Sequence, residues 1–230
     1  MKKIFYTLSF LLLFSTLNFA QDDSSFPLKL QIDPSVGMLF LSNSVLEETL
    51  GIQSQLPQWS AGGGVRLRLI SEERLESIIS FQRITRISGE GEYMYLGSYA
   101  AILGWRFNLG ETWTFVPGLG FHAISGLYER EVASYITPGP LPIGNYSKWY
   151  FDQMGVMVSA DLAWKLPSGE MKLLPQSVFF NIQYGAPIGP GLLEYSGTNP
   201  IEEGRKPLFA YNLSLSFGVS YSLIGASGKQ

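Results

Sequence analysis

The sequence predicts an all-β protein, an eight-stranded antiparallel up-and-down β-barrel that crosses a membrane. Three observations support the prediction: strict alternation of apolar and small polar residues, a composition rich in aromatic residues, and connections between strands that alternate between short and long. Charged residues make up only 15% of the chain and aromatic residues 14%. A closed barrel is the β-structure that can cross a bilayer, because closure leaves no strand edge unpaired.

The N-terminal residues 1–20 have the pattern of a secretory signal peptide, with two lysines, a short apolar stretch and Ala20 at the expected cleavage site. The apolar stretch is shorter than the roughly 20 residues that a membrane-spanning helix needs. We expect the mature chain to begin at Gln21 and residues 21–230 to form one outer-membrane barrel domain. The absence of cysteine excludes disulfides and a lipid-bearing cysteine, and the net charge of -3 does not suggest nucleic acid as a partner.

The clearest predicted strand is the last one, from Phe209 to Leu223. Every odd position in it is apolar, and every even position is Ala, Asn, Ser or Gly. Alternation of this kind places all the apolar side chains on one face of a strand. The other face is small and uncharged, as the crowded inside of a narrow barrel requires.

Seven further segments alternate with varying clarity and bring the count to eight, the even number typical of a single-chain bacterial barrel. In the weakest of them the alternation slips between Phe81 and Ile84, which predicts a bulge or an edge irregularity. The seven segments are Leu28–Phe40, Trp59–Leu69, Ser77–Ser88, Tyr93–Leu109, Trp113–Leu127, Tyr150–Leu166 and Val178–Ala186.

The connections after strands two and four are short, whereas those after strands one, five and seven are long. Outer-membrane barrels have short periplasmic turns and longer external loops. The three long connections, 41–58, 128–148 and 187–208, are therefore predicted external loops, and they are where we expect an extracellular ligand to bind.

These features together resemble the small outer-membrane β-barrel families of Bacteroidota, the group that includes PorT-like proteins. The resemblance rests on the Ala20-Gln21 junction, the eight alternating segments, and the run from Tyr211 to Tyr221, which reads Tyr-Asn-Leu-Ser-Leu-Ser-Phe-Gly-Val-Ser-Tyr. It implies a barrel in the outer membrane, surrounded by lipid and inserted by the barrel-assembly machinery. We expect a monomer.

The polar positions of the strands predict a network inside the barrel. One interpretation is a narrow polar path or a site for an anionic group; the other is a plug, in which the side chains pair across the lumen. An eight-stranded barrel holds little besides side chains, so the plug is favoured. Arg86 is left unassigned because its strand is ambiguous. The predicted lumen network is Lys29, Asp33, Arg66, Arg68, Arg106, His122, Asp161 and Lys165.

No catalytic residue, metal site or cofactor is predicted. His122 is the only histidine, and Ser125, three positions on, points to the opposite face of an extended strand. The His-x-Ser arrangement of lipid A deacylase barrels is absent. The leading interpretation is a non-enzymatic outer-membrane barrel with a structural or adhesive role through its loops. The alternatives are a lipid A or phospholipid acyl hydrolase and a soluble periplasmic or secreted lipid-binding barrel.

Overall fold

The computed structural model describes residues 29–41, 59–71, 74–87, 92–132, 145–167, 174–197 and 205–224. Residues 1–20 and most of the predicted loop 41–58 lie outside this part of the chain. None of the described residues belongs to a helix long and apolar enough to span a membrane. The strand segments are β1 (Lys29–Leu41), β2 (Trp59–Ile70), β3 (Leu75–Ile87), β4 (Glu92–Trp105), β5 (Phe107–Leu109), β6 (Trp113–Val132), β7 (Asn145–Lys165), β8 (Ser177–Pro187), β9 (Gly191–Gly197), β10 (Arg205–Leu208) and β11 (Asn212–Ile224).

The strand segments form one closed antiparallel barrel of eight strands. Three barrel strands are interrupted, because β5 continues β4, β9 continues β8, and β11 continues β10. Each barrel strand pairs with its neighbour in sequence, and β1 pairs with β11, so the sheet has no open side. The predicted eight-stranded up-and-down barrel is confirmed.

The two ends of the barrel differ in their connections. At one end, β2 is joined to β3 and β5 to β6 by short turns, and we call it the turn end. Gly110 has a φ of 74° in the second of these turns, a conformation that a residue without a Cβ adopts readily. We call the opposite end, where β1, β3, β6 and β9 finish, the loop end.

The third strand departs from the prediction because it is regular. β3 pairs without a register shift with β2 and with β4, so the expected bulge near Ile84 is wrong. The apparent slip in the sequence has another cause. Ile78 and Ile84 both face the lumen and are buried there, so this strand carries apolar side chains on both faces.

Two of the predicted loops are in part strand. β6 continues to Val132 and β7 begins at Asn145, so only the middle of the predicted loop 128–148 lies between them. β9 and β10 likewise lie inside the predicted loop 187–208 and pair with each other. The strands therefore extend toward the loop end well beyond the point where the apolar alternation stops.

Candidate functional site

The outside of the barrel carries an apolar belt. On β7 the outward positions from Trp164 to Met154 are apolar, and at roughly 3.3 Å per residue and a strand tilt of about 40° they cover about 25 Å along the barrel axis. That is the height of the apolar band on outer-membrane barrels. Side chains of the belt are strongly exposed, such as Leu119 at 68% and Val36 at 65%. Further members are Leu67, Leu103, Val156, Val158, Leu162, Phe180, Ile182 and Phe217.

Aromatic side chains border this belt. Near the turn end, Trp113 and Trp164 stand opposite each other on β6 and β7 and stack with ring centroids 6.2 Å apart. Toward the loop end, Tyr184 and Tyr211 stack with centroids 6.4 Å apart. Rings with a polar edge are favoured at the two interfaces of a membrane, so the pairs fit the borders of a bilayer.

The inside of the barrel holds buried ion pairs in the half nearest the turn end. Arg66 and Arg68 are two residues apart on β2, so their side chains point to the same face, and Asp33 stands opposite Arg66 on β1. Asp33 lies 3.1 Å from a guanidinium nitrogen of each arginine. Asp161 reaches the same pair from β7, with Arg66 Nη1 at 2.6 Å and Arg68 Nη2 at 3.5 Å from its carboxylate oxygens.

Glu76 completes this group, although it was absent from the predicted network. Its Oε2 accepts a hydrogen bond from Arg68 Nη1 at 3.0 Å, and its Oε1 accepts one from Arg106 Nε. Glu76 is fully buried, as is Asp33. We call Asp33, Arg66, Arg68, Glu76, Arg106 and Asp161 the ionic cluster. Three guanidinium groups and three carboxylates give it no net charge, which lowers the cost of burying them.

An aromatic ring covers one side of the ionic cluster. The Arg66 guanidinium carbon lies 3.8 Å from the centroid of the buried Phe179 ring, within the range of a cation–π contact. Gly218 leaves the space for that ring, because a Cβ on it would lie 2.6 Å from the ring edge. The charged group is thus enclosed by packed side chains.

The two predicted lysines do not join the ionic cluster. Lys29 and Lys165 lie at the turn end, the first half-buried and the second exposed. Among the described residues, no ion pair connects either lysine to an acidic residue of the cluster. The side chain of Arg86 lies outside what the structure describes.

His122 belongs to a layer of uncharged polar groups in the middle of the lumen. It is fully buried, and its Nδ1 lies 3.4 Å from Asn212 Nδ2. Gly155 and Gly185 make room for the imidazole, since a Cβ on either would lie within 2.6 Å of His122 Nε2. The side-chain partner is an amide, neither a serine nor a carboxylate. Groups of acidic, histidine or cysteine side chains suited to a metal ion are not found in the described ranges.

Two more hydrogen bonds lie in this layer. Ser214 donates to Gln82 Oε1 on β3 across the lumen at 3.0 Å, and Ser216 donates to Asn181 Oδ1 on the adjacent strand β8 at 3.4 Å. The small serines of β11 face larger amides from other strands, which fills the narrow interior.

The half of the lumen nearest the loop end is mainly apolar, whereas the expected plug consisted of polar side chains. Phe151 lies directly over Gly126, where an added Cβ would be 2.1 Å from the ring. We call the buried, mainly apolar residues of this half the apolar cluster. Its members are Leu39, Leu41, Ile84, Met94, Leu96, Ile124, Tyr128, Trp149, Phe151 and Ala210.

Comparison with protein-family models and with curated proteins gave no match. Among solved structures, the chain is similar to a major outer membrane protein from Thermus thermophilus, with a TM-score of 0.52 at 12% identity over 85% of this chain and 99% of that one. Weaker similarity is found to Neisserial surface protein A, with a TM-score of 0.47 at 12% identity over 83% and 96% of the two chains. The outer membrane protein OprG from Pseudomonas aeruginosa gives a TM-score of 0.48 at 10% identity, over 86% of this chain and 96% of that one.

At these identities a structural likeness shows the fold alone, and the comparison with the Thermus protein supports that fold. The resemblance to PorT-like proteins stays a prediction, as do the signal peptide and the partners. What the geometry adds is the arrangement of side chains: an apolar outside, and an inside with buried ion pairs in one half and mainly apolar side chains in the other.

Proposed function

We propose that the protein is a non-enzymatic barrel of the bacterial outer membrane whose lumen is closed by its own side chains. The observation that carries the proposal is the inverted distribution of polarity. Large apolar side chains such as Leu119 and Phe217 are exposed on the outside, while Asp33, Arg66 and Glu76 are buried inside. A soluble protein buries apolar groups and exposes charges, whereas a barrel in lipid requires the reverse. The predicted signal peptide supports export to that membrane.

Two layers support a closed lumen. The ionic cluster fills the half near the turn end, and the apolar cluster fills the half near the loop end. An ion that crossed the lumen would have to displace paired charges and then enter a region lined mainly by apolar side chains. Both steps are costly, because ions lose hydration that neither layer replaces.

The projecting strands at the loop end support a surface role. Beyond the belt, β6 and β7 continue as a hairpin, and Glu129 pairs with Lys148 at 3.1 Å on adjacent strands. Charges at this level indicate that the strands have left the bilayer. We propose that the barrel anchors this hairpin and the connections within 41–58, 128–148 and 187–208, which serve a structural or adhesive role.

Cell fractionation and gel mobility test membrane insertion. We expect the protein in outer membranes and a different gel mobility before and after boiling, since a closed barrel resists unfolding until it is heated.

Leu215→Arg should destabilise the barrel in lipid vesicles by about 2–4 kcal/mol, because Leu215 faces outward midway between the borders of the belt. Leu223→Arg, near the turn end, is the control and should cost about 0–1 kcal/mol. Recovery as a soluble protein without detergent, or equal effects of the two substitutions, would contradict the proposal.

A further inference from the structure

The outer face of β3 carries a positive charge on the side of the barrel that bears the belt. Arg83 is exposed, whereas its neighbours in sequence, Gln82 and Ile84, are buried in the lumen. Because successive side chains of a strand point to opposite faces, the guanidinium group of Arg83 points away from the interior. In the ladder Arg83 pairs with Gly63 on β2 and with Gly97 on β4.

The ladder places Arg83 in the row of residues at which the belt ends. From Gly97 the row continues to Ser125 on β6 and Asp152 on β7, which is the next outward position after Met154. Met154 is the last residue of the apolar run on β7, and the outward positions of the row itself are small or polar. The end of an apolar belt lies at the depth of the lipid headgroups, where a charge on the outer face of a barrel is tolerated.

An aromatic ring holds one face of the Arg83 guanidinium group. The guanidinium carbon lies 4.6 Å from the centroid of the Tyr95 ring, within the range of a cation–π contact. Tyr95 pairs with Thr85, the next outward position of β3 toward the loop end, so the Arg83 side chain turns away from the belt. Thr85 is exposed. Two side chains that carry hydroxyl groups therefore lie next to Arg83.

The charge of Arg83 has no acidic partner within the described ranges of the chain. The other guanidinium groups with ion pairs there belong to the ionic cluster, and Lys148 pairs with Glu129. On the β2 side the neighbouring position is the exposed Gly63, which has no side chain that could cover Arg83. The guanidinium group is thus accessible from the surface of the barrel and able to bind an anion.

We infer that Arg83, together with Thr85 and Tyr95, binds the phosphate group of an anionic lipid in the leaflet at the loop end. The inference rests on the proposed membrane location. A guanidinium group presents paired N–H donors that match the oxygens of a phosphate, and the ring keeps the group in one orientation. A membrane lipid is the source, because Arg83 lies at the end of the belt and the apolar side chains below it contact the acyl chains.

Native mass spectrometry of the purified protein in detergent measures the affinity for a single lipid molecule. Phosphatidylglycerol, whose phosphate gives the lipid a net negative charge, is the probe. Phosphatidylcholine is the comparison, because a choline cation balances its phosphate. A separate sample receives an excess of inorganic phosphate, which tests whether a free anion takes the same site. The boiling-dependent gel shift shows for each variant that the barrel is folded.

The decisive comparison is between Arg83→Gln and Lys148→Gln. Both remove one positive charge near the loop end, but Lys148 is already paired with Glu129. Arg83→Gln should lower the affinity for phosphatidylglycerol about three- to tenfold, as expected for a charge-assisted contact at a partly exposed site. Lys148→Gln should stay within about twofold of the parent. Arg83→Lys keeps the charge without the planar group, and its affinity should fall between those of the parent and Arg83→Gln.

Each result supports or overturns the site. Equal losses in Arg83→Gln and Lys148→Gln would overturn it, because they would indicate a general attraction between charges. Equal affinity of the parent for the two lipids, or displacement of phosphatidylglycerol by inorganic phosphate, would overturn an anionic lipid as the occupant. Absence of the gel shift in the parent would instead contradict the proposed membrane barrel. We expect the gel shift in every variant and a loss of phosphatidylglycerol affinity confined to the Arg83 variants.

Discussion

The two halves of the lumen are filled by opposite chemistry. Near the turn end, three guanidinium groups and three carboxylates pair with one another. Near the loop end, ten apolar or small side chains pack as in the core of a soluble protein. The same barrel interior therefore admits both solutions, provided that charges have partners and apolar groups leave no space. The stability of the half near the turn end depends on the balance of paired charges, and the stability of the half near the loop end depends on the volume that its side chains fill.

The largest effect is expected in the ionic half. Arg66→Met keeps most of the side-chain volume but removes a positive charge that pairs with the carboxylates of Asp161 and Asp33. It should destabilise the barrel by about 3–5 kcal/mol. Arg106→Met is the control, because Arg106 is partly exposed and Glu76 would keep its pair with Arg68. Urea unfolding in lipid vesicles, followed by gel mobility, measures both. A loss for Arg66→Met no larger than that for Arg106→Met would show that the buried ion pairs of Arg66 do not govern the stability of this half.

The apolar half should respond to volume instead. Leu96 is buried in the apolar cluster, and Leu96→Ala should cost about 2–5 kcal/mol through lost burial and the cavity left behind. Leu96→Met conserves the volume and should cost less than about 1.5 kcal/mol. The same unfolding assay compares them. Similar losses for the two variants would mean that packing is not what stabilises the loop-end half.

A smaller effect is expected where a glycine makes room for a ring. A Cβ on Gly126 would lie 2.1 Å from the Phe151 ring, so Gly126→Ala must displace that ring and should cost about 1–3 kcal/mol. Gly63 is exposed and a Cβ there would meet only the carbonyl oxygen of Ser35 at 3.8 Å. Gly63→Ala should stay within about 0.5 kcal/mol of the parent. If the two substitutions destabilise equally, the ring does not pack as described.

The sequence was sufficient for the strand number and for the faces of the strands that line the polar part of the lumen. In β11 the inward residues are small and polar while the outward ones are apolar, so alternation is visible throughout. In β3 the inward residues Ile78 and Ile84 are apolar as well, which removed the alternation and suggested a bulge that does not exist. Where the side chains that face the lumen are apolar, the alternation of apolar and polar residues that identifies a strand is therefore lost.

The same ambiguity explains the missed carboxylate. The third strand was expected to begin at Ser77 and the turn before it to end at Leu75, so Glu76 was assigned to neither. Glu76 lies an even number of positions from Ile78 and Gln82, so the three side chains share the face of the strand that points into the lumen. That spacing was the signal that could have placed Glu76 inside. The pairing within the ionic cluster was out of reach for another reason. Alternation gives the face of a residue, whereas the stagger between strands sets its level, and Arg66 meets Asp161 95 positions away.

The strand ends were also hidden, for a reason tied to the membrane. Alternation marks a strand only where one face meets lipid and the other the lumen. Past the belt β6 and β7 continue to pair, but Glu129 and Lys148 show that the outward face is polar there. The predicted loops therefore began where the bilayer ends and not where the ladder ends.

The central claim is that the two layers close the lumen, and planar-bilayer recording of the purified protein tests it most directly. An eight-stranded barrel filled by side chains leaves no aqueous channel of the kind found with 16–18 strands. We predict a bilayer without stable unitary current steps after insertion has been verified by the boiling-dependent gel shift. Stable, porin-sized unitary conductance from the parent protein would contradict the account.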